Sequence, residues 1–379
     1  MDLHIVFMIL GFCFAAYSVV GNDVIQTLGT FISSNGKTPW YILWTYTGVI
    51  MISVLFYGWY SGQGVAYGRL NKIPFPEVLQ WWHVLPPLVL MIITRFGIPV
   101  STTFLVLSVF ATKNIQSMVT KSALGYLVAF GAAIFVYLLI SRFFEENFIR
   151  KEIKKNEKRI WTVLQWTSTG FLWSQWLIQD LANIYVYLPR GNNLSSTQFF
   201  LSAFVLIVLL GYIFYSRGGS IQKIVTTKTN TTDIRSATII DFIYGIVLFV
   251  FKEMSDIPMS TTWVFVGLLA GRELMINLRI NMQAAFEARL KQEKKKAKKK
   301  GYKESSDKIL DDATFEDEQN IKNHPLYPRY SDTVGILRMI GSDLLKVFAG
   351  LVVSLILVFV LKKNEVIENL IEYIINIFS

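Results

Sequence analysis

Two hexapeptides, IPVSTT at 98–103 and IPMSTT at 257–262, set one serine and two threonines after a proline, 159 residues apart. Both sit in otherwise apolar sequence. A proline favours an extended residue before it and a helix start after it. Ser101, Thr102 and Thr103 are therefore expected in a first helical turn, where free N–H groups and the positive dipole end face outward. Ser260, Thr261 and Thr262 repeat the pattern. Hydroxyls and N–H groups converging there can bind an oxyanion without any fixed cation. The plainer alternative is that they cap and back-bond their own helices, as Ser and Thr commonly do in membranes.

A second pair of motifs precedes the first. GNDVIQTLGTF (21–31) carries Asp23 between Asn22 and Gln26, and IQDLANIYVYL (178–188) carries Asp180 between Gln179 and Asn183. A carboxylate, amide oxygens and backbone carbonyls freed by a helix interruption form an oxygen cage suited to a hard monovalent cation such as Na⁺. Gly21 and Gly29 would ease an interruption in the first motif, whereas the second has no glycine there. A polar lock between helices is the alternative use of such residues.

These residues need elements to hold them, and the composition says which. The chain is 53% hydrophobic, 15% aromatic and only 17% charged over 379 residues. Blocks at 3–20, 39–59, 121–141, 197–215 and 347–361 are nearly free of charge and approach or reach bilayer-spanning length. Shorter or interrupted blocks lie at 84–94, 104–111, 161–178, 237–251 and 263–271. This patterning predicts an all-α polytopic membrane protein; a β-barrel would alternate in ten-residue segments. The N-terminal block lacks a basic stretch, its first Lys or Arg being Lys37, and is expected to be a retained helix. The single cysteine, Cys13, excludes disulfides and thiolate metal sites. The net charge of +10 gathers in RKEIKKNEKR (150–159) and KQEKKKAKKK (291–300), as in cytoplasmic loops beside anionic headgroups. Neither segment has the interleaved aromatics of a nucleic-acid surface.

The order of features repeats. Asp23 precedes Ser101 by 78 residues and Asp180 precedes Ser260 by 80. An internal duplication of that period suits the two-repeat architecture of secondary transporters. The expected division is a first transmembrane repeat at 1–141, a charged linker at 142–160 and the first part of a second repeat at 161–271. A charged helix and loop at 272–333 follows, then a last transmembrane helix with an amphipathic C-terminal segment at 334–379. Asp241, in an apolar stretch, is a further candidate for a cation or a proton. Lys252 is expected to pair with Glu253 or Asp256. Histidines at 4, 83 and 324 show no grouping that would serve an enzyme or a metal site.

With both motifs present twice and in order, GNDVIQTLGT resembles the first signature of the inorganic phosphate transporter (PiT) family, and P-[VIM]-S-T-T resembles its second. The resemblance covers about residues 1–280 and the final helix. It implies two inverted-topology repeats with discontinuous helices and re-entrant half-helices, importing phosphate with Na⁺, or H⁺ in some members, across the cell membrane. No cofactor is implied beyond the coupling ion, the partners are phosphate, the cation and the bilayer, and a homodimer is left open, as are sulfate as cargo and an anion channel. Carried over by position, Ser101, Thr102, Thr103, Ser260, Thr261, Thr262, Asn22 and Gln179 would meet phosphate. Asp23, Asp180, Gln26 and Asn183 would meet Na⁺. This chain departs from the pattern at Gln26 and Gln179, where the family has asparagines. It also has Phe104 and Trp263 where a histidine often follows the threonines.

Overall fold

Backbone polar groups in hydrocarbon must be satisfied within the segment that carries them, so apolar runs of this length fold as helices. The computed structural model describes residues 2–95, 101–140, 153–190, 193–218, 234–254, 259–278, 281 and 333–361. Among them there is no strand. The helices are α1 (Leu3–Val19), α2 (Ile25–Ser34), α3 (Trp40–Tyr60), α4 (Leu85–Arg95), α5 (Ile115–Ile140), α6 (Lys155–Asp180), α7 (Ser196–Tyr215) and α8 (Ile234–Met254). They are followed by α9 (residues 261–278) and α10 (Thr333–Leu361).

Among the described residues, six stretches are long and apolar enough to cross a membrane: Leu3–Val24, Trp40–Tyr60, Thr112–Leu138, Ser196–Tyr215, Ile234–Glu253 and Thr333–Leu361. The protein is an all-α, multi-pass membrane protein. Large apolar side chains such as Val49, Phe204 and Leu345 point outward, as lipid-facing positions do. The polar residues go inward instead, and α6 shows this best. It opens on charged residues, yet Gln165, Thr169, Gln179 and Asp180 further along are buried. That polar stripe packs on α8 and α2. Asn35 Nδ2 donates to Gln165 Oε1 at 2.9 Å, and Trp166 Nε1 donates to Asn35 Oδ1 at 3.3 Å. The amides fasten α2 to α6 where neither could leave a polar group bare.

Two helices are interrupted where the aspartates lie. Between α1 and α2 the chain makes a π-helical turn, Val20–Val24, which contains Asn22 and Asp23. After α6 ends at Asp180, Leu181 turns the chain into the short helix Ala182–Tyr185. Neither break uses a glycine's freedom. Leu181 keeps right-handed angles (φ −58, ψ −25), and Gly21 and Gly29 are not among the residues with positive φ. The expected role of those two glycines is thus not the one the backbone needs.

Glycine matters elsewhere, at Gly267 and Gly271 of α9. A Cβ on Gly267 would stand 2.4 Å from the carbonyl oxygen of Tyr126, and one on Gly271 would stand 2.4 Å from that of Phe130. The G-x-x-x-G spacing thus seats α9 directly on the α5 backbone, the way membrane helices gain dispersion contact without a hydrophobic drive.

Two expected boundaries move. α6 begins at Lys155, inside the stretch expected to be linker, because helix propensity of Lys and Glu extends the α6 start outward. α9 runs on through 272–278, where a charged insertion was expected. Arg272 and Glu273 are buried there and neutralise each other at 2.5 Å, and Arg272 Nε also donates to the Tyr137 hydroxyl at 3.2 Å. Paired charges survive burial where single ones do not. Lys252 does pair with Glu253, at 3.2 Å. The basic 291–300 segment and the amphipathic end at 367–378 lie outside the described residues.

A bulkier residue at the close approach should be costly. Gly267→Val is expected to destabilise the protein by about 1–3 kcal/mol through overpacking. Gly341→Ala, on α10 where an added Cβ meets nothing within 4 Å, should be neutral. Thermal unfolding in detergent, followed by size exclusion, compares the two.

Candidate functional site

The two interrupted helices bring their aspartates to the centre of the bundle, and the two STT segments close on them. Asp23 and Asp180 are each 1% exposed, and Ser101–Thr103 and Ser260–Thr262 are almost equally buried. Thr102 Oγ1 donates to Asp23 Oδ2 at 2.5 Å, and Thr261 Oγ1 donates to Asp180 Oδ2 at 2.5 Å. Asn22 Nδ2 donates to Asp23 Oδ1 at 2.7 Å, and Asn183 Nδ2 donates to Asp180 Oδ1 at 2.9 Å. Each carboxylate therefore has one amide from its own motif and one threonine from the STT segment that follows it.

The arrangement also crosses between the halves. Asn183 Nδ2 reaches Thr102 Oγ1 at 2.9 Å and Thr103 Oγ1 at 3.4 Å. Thr103 Oγ1 donates to the Met259 carbonyl at 3.1 Å, and Thr262 Oγ1 reaches Asp23 Oδ1 at 3.5 Å. Removing one motif would leave donors or acceptors of the other unsatisfied, which is expensive in a buried site.

The serines behave differently from the threonines. Ser101 Oγ accepts the Phe104 N–H and Ser260 Oγ accepts the Trp263 N–H, both at 3.3 Å. Each is an N-cap that bonds its own third helical residue. The capping alternative thus describes the serines, while the threonines turn to the carboxylates. After the first cap the chain is π-helical over Thr103–Leu107 rather than a regular α-helix, whereas α9 after the second is regular.

The glutamines do not join the cluster. Gln179 Nε2 donates to the Leu248 carbonyl of α8 at 2.6 Å, and Gln179 Oε1 has no partner among the described residues. Its side chain, longer than an asparagine by one methylene, reaches the neighbouring helix. Gln26 is buried with neither its Oε1 nor its Nε2 hydrogen-bonded among the described residues. Asn183 Oδ1 is likewise open. These are unspent polar atoms at or near the carboxylates, which is unusual in a finished interior.

Asp23 and Asp180 are close enough that, both ionised, their charges would repel across the cluster. No lysine or arginine contacts either one among the described residues. Arg69, buried in the 61–80 connection, is the cation whose field reaches Asp180. Sequence reading missed it because nothing in YGRLNK marks a residue that folds inward. Tyr244 was missed too; its hydroxyl donates to the Thr261 carbonyl at 3.0 Å, steadying the α9 start. No grouping of three or more His, Cys, Asp or Glu suited to a metal ion occurs among the described residues.

No family model matches the chain, and no curated protein matches it. The fold is similar to that of a solved structure described as the sodium-dependent phosphate transporter. The TM-score is 0.53 at 16% sequence identity, over 73% of this chain and 90% of that one. At that identity the likeness speaks for the arrangement of helices.

If the serines are caps, Ser101→Ala and Ser260→Ala should each cost about 1 kcal/mol of stability. Ser101→Asn and Ser260→Asn, which keep a capping oxygen, should stay within a few tenths of the parent. Equilibrium thermal unfolding of the four variants tests this.

Proposed function

We propose that the protein is a secondary active transporter that takes up inorganic phosphate together with Na⁺ across the cell membrane. The observation that carries this reading is the pair of wholly buried carboxylates, enclosed by hydroxyls and amides from both halves and touched by no lysine or arginine among the described residues. Isolated charges in a low-dielectric interior cost several kcal/mol each. Such a centre calls for mobile cations, and oxygen donors without nitrogen or sulfur ligands suit Na⁺.

In this reading Asp23 and Asp180 hold the coupling ions, with Asn183 and Gln26 offering the open amide oxygens. Cation binding removes the repulsion that would otherwise reject an anion. Phosphate then meets donors from Asn22 and the threonine hydroxyls, Thr102 and Thr103 on one side and Thr261 and Thr262 on the other. Ser101 and Ser260 contribute by fixing the two helix starts, so that backbone N–H groups face the anion. Gln179 would need to leave the Leu248 carbonyl to contribute. Arg69 adds attraction at longer range. The dependence of each ligand on the other is a coupling free energy and must be reciprocal.

The duplicated motifs support two inverted repeats that rock about this centre in alternating access, with the short α4 and the STT segments as half-helices. The similar solved structure, by its description a sodium-dependent phosphate transporter, supports the same substrate and ion.

Uptake of radiolabelled phosphate into proteoliposomes tests the reading. An inward Na⁺ gradient should drive saturable uptake, and sulfate should compete poorly. Asp23→Asn and Asp180→Asn should each lower Na⁺-driven uptake about tenfold or more, the equivalent of 1.4 kcal/mol of lost coupling. Uptake driven equally by a proton gradient without Na⁺ would reassign the coupling ion, and preferential sulfate uptake would reassign the cargo.

A further inference from the structure

α8 carries a third buried carboxylate, Asp241, which the twin-aspartate centre does not use. It is 0% exposed. Both of its oxygens meet hydroxyls directly: Thr30 of α2 at Oδ1 and Thr169 of α6 at Oδ2, each at 2.5 Å. One threonine belongs to the first half of the chain and the other to the second. These two are the hydrogen bonds its side chain makes among the described residues.

The surrounding titratable groups supply no offsetting charge at Asp241. α2 has none along its length, and α6 has none between Arg159 and Asp180. On α8 itself Tyr244 lies one turn away with its hydroxyl on the Thr261 carbonyl, and the buried Arg235, with partners of its own, is six residues back. α5, which packs on α8, brings Lys121, Tyr126 and Tyr137, and α3, which packs on α6, brings Tyr46, bonded to the Trp166 carbonyl. None of them contacts the carboxylate.

A carboxylate so enclosed must be neutralised, because two hydroxyl hydrogen bonds recover only part of its lost hydration. The geometry selects the neutralising species. Asp23 and Asp180 also have each oxygen hydrogen-bonded, but there Asn183 leaves its Oδ1 open to a cation. Asp241 is held by two hydroxyls and no amide, so Na⁺ would enter only by prising the threonines away. A proton needs no such opening. A threonine hydroxyl donates and accepts, so it can take a hydrogen bond from the protonated carboxyl and turn its own hydrogen to the carbonyl four residues back.

We propose that Asp241 is a proton-carrying residue, held between the halves by Thr30 and Thr169 and distinct from the Na⁺ and phosphate centre. Of the three helices that meet there, α2 and α8 carry further bonds toward that centre. Thr27, one turn before Thr30, bonds the Asp23 carbonyl at 3.0 Å, and Tyr244, one turn after Asp241, bonds the start of α9 at 3.0 Å. Proton binding at Asp241 therefore changes the charge of a tie joining α2, α6 and α8, with Thr30 about two turns along the chain from Asp23. That consequence for transport rests on the proposed phosphate symport; the proton site does not.

Infrared difference spectra of the reconstituted full chain, recorded between acid and alkaline pH, test the site directly. The parent should show the carbonyl stretch of a protonated carboxylic acid that disappears as pH rises. Asp241→Asn should lack that component, and Asp241→Glu should keep a titrating band at a displaced frequency. A pH difference spectrum identical in the parent and both variants, an Asp241-dependent band present at every pH, or an Asp241-dependent carboxylate band that answers to Na⁺ instead, would overturn the proposal. In uptake assays Asp241→Asn should flatten the pH dependence while leaving the Na⁺ dependence in place. A parent protein that moves no phosphate would count against the transport reading, and the infrared result would still decide the proton site.

Discussion

Carboxylates sealed inside a membrane bundle need donors for their oxygens and a positive charge to offset them, and much of this structure follows from that requirement. Asp23 and Asp180 obtain donors only because the chain is interrupted at both sites and because threonines from distant segments arrive beside them. The π turn at Val20–Val24 lets Asn22 and Asp23 share one buried spot. The turn at Leu181 does the same for Asp180 and Asn183. The donors are supplied completely; the charge is not. That imbalance is what the proposed ion-binding role rests on.

Labour within each STT triplet is divided by position on the helix start. The first residue has the non-helical geometry from which a hydroxyl can reach back to the third N–H, so the serine caps. The next two project from the first turn toward the bundle centre, and their hydroxyls meet Asp23, Asp180 and the Met259 carbonyl. A cap bond holds the turn that aims them. The same logic explains why both copies carry serine first: a residue without a capping oxygen in that position would lose the cap and tilt the threonines together.

The helices, the duplicated motifs and their meeting point could be read from residue types and spacing alone, because hydrophobic runs and matched offsets are local signals. What escaped the reading depends on which way a side chain turns. Gln179 looked equivalent to an asparagine, but its extra methylene carries the amide to the α8 backbone. Arg272 and Glu273 looked like the start of a polar insertion, and only the three-dimensional pairing shows that they cancel inside α9. Arg69 gave no sign of burial. Gly267 and Gly271 had the spacing of a helix contact, a signal that was on the page, yet their partner on α5 could not be named without the fold. Glycines 21 and 29 drew attention as breakpoints although the breaks use ordinary right-handed angles.

The two residues after the STT triplets bear on how charge enters this centre. Phe104 and Trp263 meet edge to face, with ring centroids 5.6 Å apart. The contact joins the two helix starts across the halves by dispersion and quadrupole attraction. A histidine at either position would place a group that titrates near neutral pH beside the anion; here both places are apolar rings. Of the two histidines among the described residues, His4 bonds the Leu79 N–H and His83 the Gln80 N–H, both away from the aspartates. In the proposed transport cycle, changes of charge at the core would therefore fall to the carboxylates and the ions proposed to bind them. That is why Asp241, set apart from the twin aspartates but tied to both halves, is the group through which pH would act on this bundle.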